Sequence, residues 1–249
     1  MLRHSHPDPL RRGLLAAGGL AVLLAALAPR GAAAQAAASG MRIGIIGAGR
    51  IGGTIGGLWV KAGHPVMLSS RHPEELKDLA ASLGPLAKTG TVAEAIAFGD
   101  ALFIAVPYGA LPQIGKDYGA AMKGKVVLDA CNAVAGRDGS AVADEVEQEG
   151  IGVVSQKYLG GARLVRAFNT MSYAIFAREA HRPPPRLAIP IAGNDPDAVK
   201  VAAALVTDAG FDPVVVGKLA DARKFQRGGP GYGQSVSAAE LRQKLSLAP

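Results

Sequence analysis

Two short stretches of this chain combine residue type and spacing in a way that can do chemistry. The first, Gly47-Ala48-Gly49-Arg50-Ile51-Gly52, reads G-x-G-x-x-G. It follows the run Arg42 to Ile46, which predicts a strand, and opens a stretch from Ile51 to Ala62 that predicts a helix. In that setting the first glycine permits a tight turn, Gly49 lets the backbone come close to a pyrophosphate, and Gly52 lets helix and strand approach. The helix start then offers unpaired N–H groups and the positive end of its dipole to phosphates. The second stretch, Ser69-Ser70-Arg71-His72, ends the next apolar run. A site for the ribose diol of NAD usually places Asp or Glu there. Two hydroxyls and a guanidinium favour a 2′-phosphate instead, because the guanidinium binds it through two nitrogens and no carboxylate at the tip repels it. The cofactor implied is NADP rather than NAD.

The other strand ends add walls rather than catalysts. Val106-Pro107-Tyr108, Asn132 and Phe168-Asn169-Thr170 fall where apolar runs stop, on the edge at which open α/β sheets bind ligands. Pro107 and Tyr108 can wall a nicotinamide ribose, and Asn132 and Asn169 can hydrogen-bond its carboxamide or a substrate. Each residue also suits ordinary turn chemistry. Together with Ala48, Arg50 and Ile51 of the loop, these form the candidate cofactor-binding set. No catalytic acid or base stands out. His64, His72 and His181 lack partners at a recognisable spacing, and Cys131 reads as a small apolar residue near the end of a buried strand. No metal site is expected. Hydride transfer between two rings needs mainly stacking and distance, since the cofactors supply the electronics.

These residues need a scaffold that brings strand ends to one edge. Apolar runs at 42–46, 65–69, 101–106, 125–128, 163–168, 187–192 and 211–216 predict strands. Stretches at 51–62, 91–98 and 196–209, one beginning at Pro73 and one beginning at Ser237 predict helices. Strands so apolar imply a parallel sheet covered on both faces. The expected fold is α/β, a Rossmann-type doubly wound and mostly parallel sheet in one compact domain over 41–216, with a small C-terminal extension over 217–249. Pro183-Pro184-Pro185 reads as a rigid surface connection and Gly228 to Gly233 as a flexible loop.

Composition narrows the function classes. With 249 residues, 49% of them hydrophobic, the chain can bury a sizeable core. The net charge of +7 falls to +4 without the first forty residues, and no cationic cluster interleaves with aromatics, so nucleic-acid binding is not expected. Arg11-Arg12, an uncharged run from Leu14 to Ala28 and the alanine-rich stretch up to Ala36 resemble a twin-arginine export signal over residues 1–36. The expected destination is the periplasm, with no membrane span in the mature form. A start at Met41 would instead leave a complete cytoplasmic domain.

On the residues already named, the chain from Met41 to about Leu245 resembles the NADPH-dependent reductases of the 8-hydroxy-5-deazaflavin coenzyme F420. It is also similar to the NADPH domain of membrane ferric reductases. The resemblance rests on Met41-Arg42-Ile43-Gly44, the glycine loop, Ser69-Ser70-Arg71, Val106-Pro107 and Arg166-Ala167-Phe168-Asn169-Thr170. It implies a compact, often dimeric enzyme that passes hydride between NADP(H) and a deazaflavin or flavin-like acceptor stacked on the nicotinamide. It also implies that Ser70 and Arg71 hold the 2′-phosphate. The alternatives are a non-catalytic NADP(H)-binding module and a ferric or flavin reductase partner.

Overall fold

The computed structural model describes residues 1–2 and 40–248, so all but the first two residues of the expected export signal lie outside the described residues. From Ile43 the chain alternates strand and helix. The order is β1 (Ile43–Ile46), α1 (Arg50–Lys61), β2 (Val66–Ser69), α2 (Lys77–Leu83), β3 (Ala87–Gly90), α3 (Val92–Phe98), β4 (Ala101–Ile104), α4 (Leu111–Met122) and β5 (Val126–Asp129). There follow α5 (Ala135–Asp138), α6 (Ser140–Glu149), α7 (Ile151–Leu159), β6 (Arg163–Arg166), α8 (Tyr173–Glu179), β7 (Ala188–Gly193), α9 (Pro196–Asp208), β8 (Asp212–Gly217) and α10 (Ala238–Lys244). Short 3-10 helices precede α2 and α4 and follow β8.

The eight strands form one sheet in the order β3-β2-β1-β4-β5-β6-β7-β8. Strands β1 to β6 are all parallel; β1, β4 and β5 are buried along their whole length, as their apolar sequences imply, whereas the edge strand β3 buries only Gly90. Ile43, Ile45 and Phe103 point into one core with Trp59 of α1 and Leu205 of α9. Ile46, Leu102 and Ile104 point into the other with Met122 of α4 and Val154 of α7. Alternate residues of one strand therefore feed two cores, which is what double winding requires.

Strand β7 runs antiparallel to β6, and β8 runs parallel to β7. The sheet is thus mostly parallel, as expected, with one antiparallel pairing among the described strands. The cause lies in the connection, because the chain leaves β6 through α8 and re-enters at the same edge of the sheet. The predicted strand 163–168 ends early, at Arg166. Phe168 adopts a φ of 58°, an uncommon conformation for a side-chain-bearing residue. Its ring offsets that cost by edge contacts to Trp59, Phe103, Phe176 and Phe211, each worth about 0.5–1.5 kcal/mol beyond burial.

The segment after β8 is built into the molecule. Leu219, Ala222, Phe225, Leu241 and Leu245 are all buried in the second core. The Gly228 to Gly233 stretch, read as a flexible loop, is tied down. Gly231 N–H donates to the Lys224 carbonyl and Gly233 N–H to the Thr170 carbonyl.

Candidate functional site

The strand order turns back between β1 and β4, so the connections leaving them diverge to opposite sides and open a crevice at their carboxyl ends. Three of the predicted segments, the glycine loop, Val106-Pro107 and Asn132, line it. A cavity of about 260 Å³ is lined by Arg50, Ile51, Val106, Pro107, Asn132 and Arg137, with Ala105, Ala130 and Cys131 behind them.

The glycine loop fits a dinucleotide at each of its three glycines. Gly47 has a φ of 96°, and a Cβ there would lie 2.6 Å from the Ala105 carbonyl oxygen. A Cβ on Gly52 would lie 2.0 Å from the Gly47 carbonyl oxygen. Gly49 differs from both, since a Cβ there would meet nothing within 4 Å. Its face is open, as the approach of a pyrophosphate demands. Gly49 is also the N-cap of α1 without a side-chain cap, and the first turn contains no acid. The amides of that turn therefore keep their donors for a ligand. The loop is pinned from outside by Gly47 and Ala48, whose N–H groups both donate to the Ser69 carbonyl.

At the tip of β2 the three predicted residues separate. Ser69 is fully buried, and its hydroxyl donates to the Ile45 carbonyl at 2.6 Å, which removes it from any phosphate. The last side chain of β2 faces inward, so the two-hydroxyl expectation reduces to one. Ser70 Oγ accepts from the His72 N–H at 3.0 Å, leaving its own hydrogen available to a ligand. Arg71 is exposed and forms no ion pair among the described residues. Glu74 lies one turn further, with its carboxylate 3.4 Å from His72 Nδ1.

Tyr108 is the second correction. Its ring is fully buried, and its hydroxyl lies 3.0 Å from Ser155 Oγ and donates to the Ile151 carbonyl. Burial pushes the phenol's pKa up, helped by the negative charge of Asp129. The ring fills the second core and cannot wall the crevice. Pro107, beside it, is exposed and lines the cavity.

Asn132 and Asn169 join each other. Asn132 Nδ2 donates to the Asn169 carbonyl at 2.7 Å. Asn169 Nδ2 donates to Asn132 Oδ1 at 3.3 Å and to the Phe225 carbonyl at 3.0 Å. Asn132 is half-buried and lines the cavity, whereas Asn169 is buried and acts on it from behind.

Beneath them lies a fully buried ion pair, Asp129–Arg166. Asp129 Oδ1 accepts the Cys131 N–H at 2.8 Å, and Arg166 Nη2 donates to the Cys131 carbonyl at 2.6 Å. The pair thus clamps both backbone groups of the residue before Asn132. Burial, and next the Asp129 charge, hold the Cys131 thiol well above its usual range, so it stays protonated. The buried apolar reading of Cys131 holds.

Sequence reasoning missed Arg137 and Asp138. Arg137 Nη2 donates to the Asn132 carbonyl at 2.6 Å and lines the cavity. The Asp138 side chain is 1% exposed. It accepts from Gly109 N–H, Val134 N–H and the Arg137 guanidinium, and so ties the loop after β4 to the loop after β5. Burial works against its charge, but Arg137 and the two amides outweigh that and hold the pKa below the usual carboxylate range. An acid nine residues after the end of β5 carries no motif, and only the tertiary contact reveals its role. Across the crevice the Arg50 guanidinium sits 5.1 Å from the ring centre of the exposed Tyr173, joining the first residue of α1 to the first of α8. The lining contains no carboxylate or imidazole. His64, which seemed to lack a partner, has two. It is buried before β2, at the opposite edge of the sheet, bonded to the Met41 carbonyl and to Asp208.

The fold recurs in solved structures. The hypothetical protein SMa0349 from Sinorhizobium meliloti superposes with a TM-score of 0.69 at 28% identity, over 79% of this chain and 95% of that one. A candidate F420-dependent NADP reductase from Arthrobacter sp. FB24 gives 0.59 at 20% identity, over 74% and 88%. An imine reductase variant from Myxococcus stipitatus in complex with NAD+ gives 0.54 at 16%, over 83% and 61%. In sequence, 63 residues are 41% identical to Escherichia coli (strain K12) YjhV. They make up 25% of this chain, which spans about half (46%) of the length of that curated relative. Over residues 42–133, which include the glycine loop, the β2 tip, Pro107 and Asn132 but not Arg137 or Asn169, the chain matches the family described as NADP oxidoreductase coenzyme F420-dependent.

Proposed function

We propose that the protein is an NADP(H)-dependent oxidoreductase that transfers hydride between NADP(H) and a deazaflavin or flavin-like acceptor. The observation that carries this reading is the open face of Gly49 at an uncapped helix start, with Arg50 and Arg137 lining the adjoining cavity. The amides at the start of α1 receive the pyrophosphate. Ser70 and Arg71, beyond β2, receive the 2′-phosphate, and Asn132 and Pro107 border the nicotinamide end.

When bound, NADPH supplies the hydride from its dihydronicotinamide ring. The protein's part is to hold the two rings at contact distance and keep water from between them. The Asp129–Arg166 clamp and the Asp138 brace fix the backbone on which Asn132 sits, so the carboxamide meets a preset partner.

Calorimetric titration with NADPH and NADH tests the cofactor. NADPH is expected to bind at least tenfold more tightly. Turnover is then followed as loss of NADPH with coenzyme F420, riboflavin or a ferric chelate as acceptor. Binding without turnover on any acceptor would favour a non-catalytic NADP(H)-binding module, and no binding would end the reading.

Export by the twin-arginine route belongs to the same proposal, because that route carries folded proteins and a dinucleotide captured in the cytoplasm would travel inside. Replacing Arg11 and Arg12 by Lys should leave the protein in the cytoplasm. An unchanged distribution between compartments would remove this part.

A further inference from the structure

Two arginines line the cofactor cavity, and they differ in what their charges meet. Arg137 is committed, since the Asp138 carboxylate accepts from its Nε and Nη2. Arg50 forms no ion pair among the described residues. Its guanidinium carbon lies instead 5.1 Å from the ring centre of Tyr173. No carboxylate lines this cavity, so the charge of Arg50 is left uncancelled there.

The place of Arg50 in the chain makes that charge unfavourable. It is the first residue of α1, follows the uncapped Gly49 and has no acid in the same turn. A cation at a helix N-terminus faces the positive end of the dipole, which disfavours it. The unpaired amides of the turn add partial charge of the same sign. An anion at this spot relieves both, and a guanidinium beside the amides gives it charge-assisted donors as well.

Tyr173 owes its position to other contacts. Helix α8 begins with Tyr173, after Ser172, whose hydroxyl accepts the Ile175 N–H at 3.4 Å. Phe176, one turn on, is fully buried, and its ring centre lies 5.7 Å from those of Phe168 and Phe211. That contact fixes the helix to the aromatic core. Tyr173, three residues before this anchor, stays 38% exposed. An exposed ring on an anchored helix is a rigid surface for a flexible side chain. Arg50 has many rotamers to lose, and attraction to the ring face selects among them. The ring face holds the charge without taking up the N–H donors as a carboxylate would, so they remain for an anion. The family match ends at residue 133 and does not reach Tyr173.

We propose that Tyr173 is a positioning residue for the cofactor: it holds the Arg50 guanidinium over the start of α1, where that charge meets the pyrophosphate. The proposal rests on the NADP(H) reading above. It divides the work of the two arginines, Arg137 bracing the loop that carries Asn132 and Arg50 neutralising the diphosphate. Tyr173 touches no phosphate itself and acts through Arg50.

The test measures binding of NADP+ and of adenosine 2′-monophosphate to full-length protein by calorimetry. The second probe reaches the β2 tip but has no pyrophosphate. Tyr173→Ala should weaken NADP+ about fivefold, the scale of a partly exposed cation–ring contact. Tyr173→Phe keeps the ring and should stay within twofold of wild type. Arg50→Gln should lose at least tenfold, and adding Tyr173→Ala to it should cost nothing more. Adenosine 2′-monophosphate should bind all of these proteins within twofold of wild type. Unchanged NADP+ affinity in Tyr173→Ala, or the same loss with and without Arg50, would overturn the positioning role. So would equal losses for both probes, which would mark damage to the packing of α1 against α8. Failure of the wild type to bind NADP+ would instead overturn the cofactor cradle, and the role of Tyr173 with it.

Discussion

Gly49 and Gly52 stand three residues apart in one loop and carry opposite expectations for the same substitution. Gly49→Ala places a methyl group in open space at an ordinary φ of −72°, so the melting temperature should stay within a degree or two. That methyl group stands where the pyrophosphate must approach, and NADPH affinity should fall at least tenfold. Gly52→Ala drives a Cβ to 2.0 Å from the Gly47 carbonyl oxygen, and the loop must move. Overpacking of that kind costs about 1–3 kcal/mol, so both stability and binding should fall. Melts and calorimetry on the two variants separate the roles, and a Gly49→Ala protein that binds NADPH normally would contradict the cradle. Arg71→Asp reverses a charge on an exposed side chain. It should lower NADPH affinity at least tenfold while barely altering that for NADH, and equal losses would count against the 2′-phosphate role. The glycines were legible in sequence because their spacing encodes backbone geometry. Ser69 and Tyr108 were not, because type and position along a strand end do not say which way the side chain faces. One of two adjacent serines must turn inward, and only the packing decides which.

Among the elements, the crevice depends on two loops held together by a carboxylate that no motif announces. Asp138 receives amides from both loops and pairs with Arg137. Asp138→Asn retains the size of the side chain, loses the charge and offers one acceptor oxygen where two were in use. A loss of about 1–3 kcal/mol in stability is expected, with NADPH affinity down several-fold as Asn132 loosens. The pH dependence has a definite sign. Because the folded pKa of Asp138 is depressed, its contribution is complete above the unfolded value near 3.9 and is lost as pH falls through the folded value. The melting temperature of the wild type should therefore drop more steeply than that of the variant as pH falls from about 5 towards 3. Parallel slopes would show that the brace contributes nothing. The strands and helices nearest the cofactor were readable from their apolar runs. Strand β3, Ala-Lys-Thr-Gly, was not, since it is an edge strand with one fully buried residue. Helix α4 has a proline in its first turn and two internal glycines, and buries only Leu111 and Met122 along its length. Tertiary packing, not propensity, makes both of them regular.

For the whole molecule, the question is whether residues after Gly217 are an appendage or part of the fold. As a sequence they read as a small extension with a flexible glycine-rich loop, because short helical turns and glycines leave little periodicity. In space they return to the face of the sheet and close the second core. Leu219, Phe225, Leu241 and Leu245 are each no more than 3% exposed. At about 1.5–3 kcal/mol for each large side chain, their burial is comparable to the net stability of a domain, about 5–15 kcal/mol. Removing them would also expose their partners on α7 and β7 and free the Ile151 N–H and the Asn169 amide from Gln226 and Phe225. A chain ending at Gly217 should therefore fail to accumulate as a folded protein, although it retains every residue of the glycine loop and of the β2 tip. Cutting after Leu247 removes only the final two residues and should leave the melting temperature unchanged. If the chain ending at Gly217 melted cooperatively and bound NADPH as tightly as the full chain, the second core would have to be complete without this segment. The crevice would then owe its geometry to β1 through β6 alone.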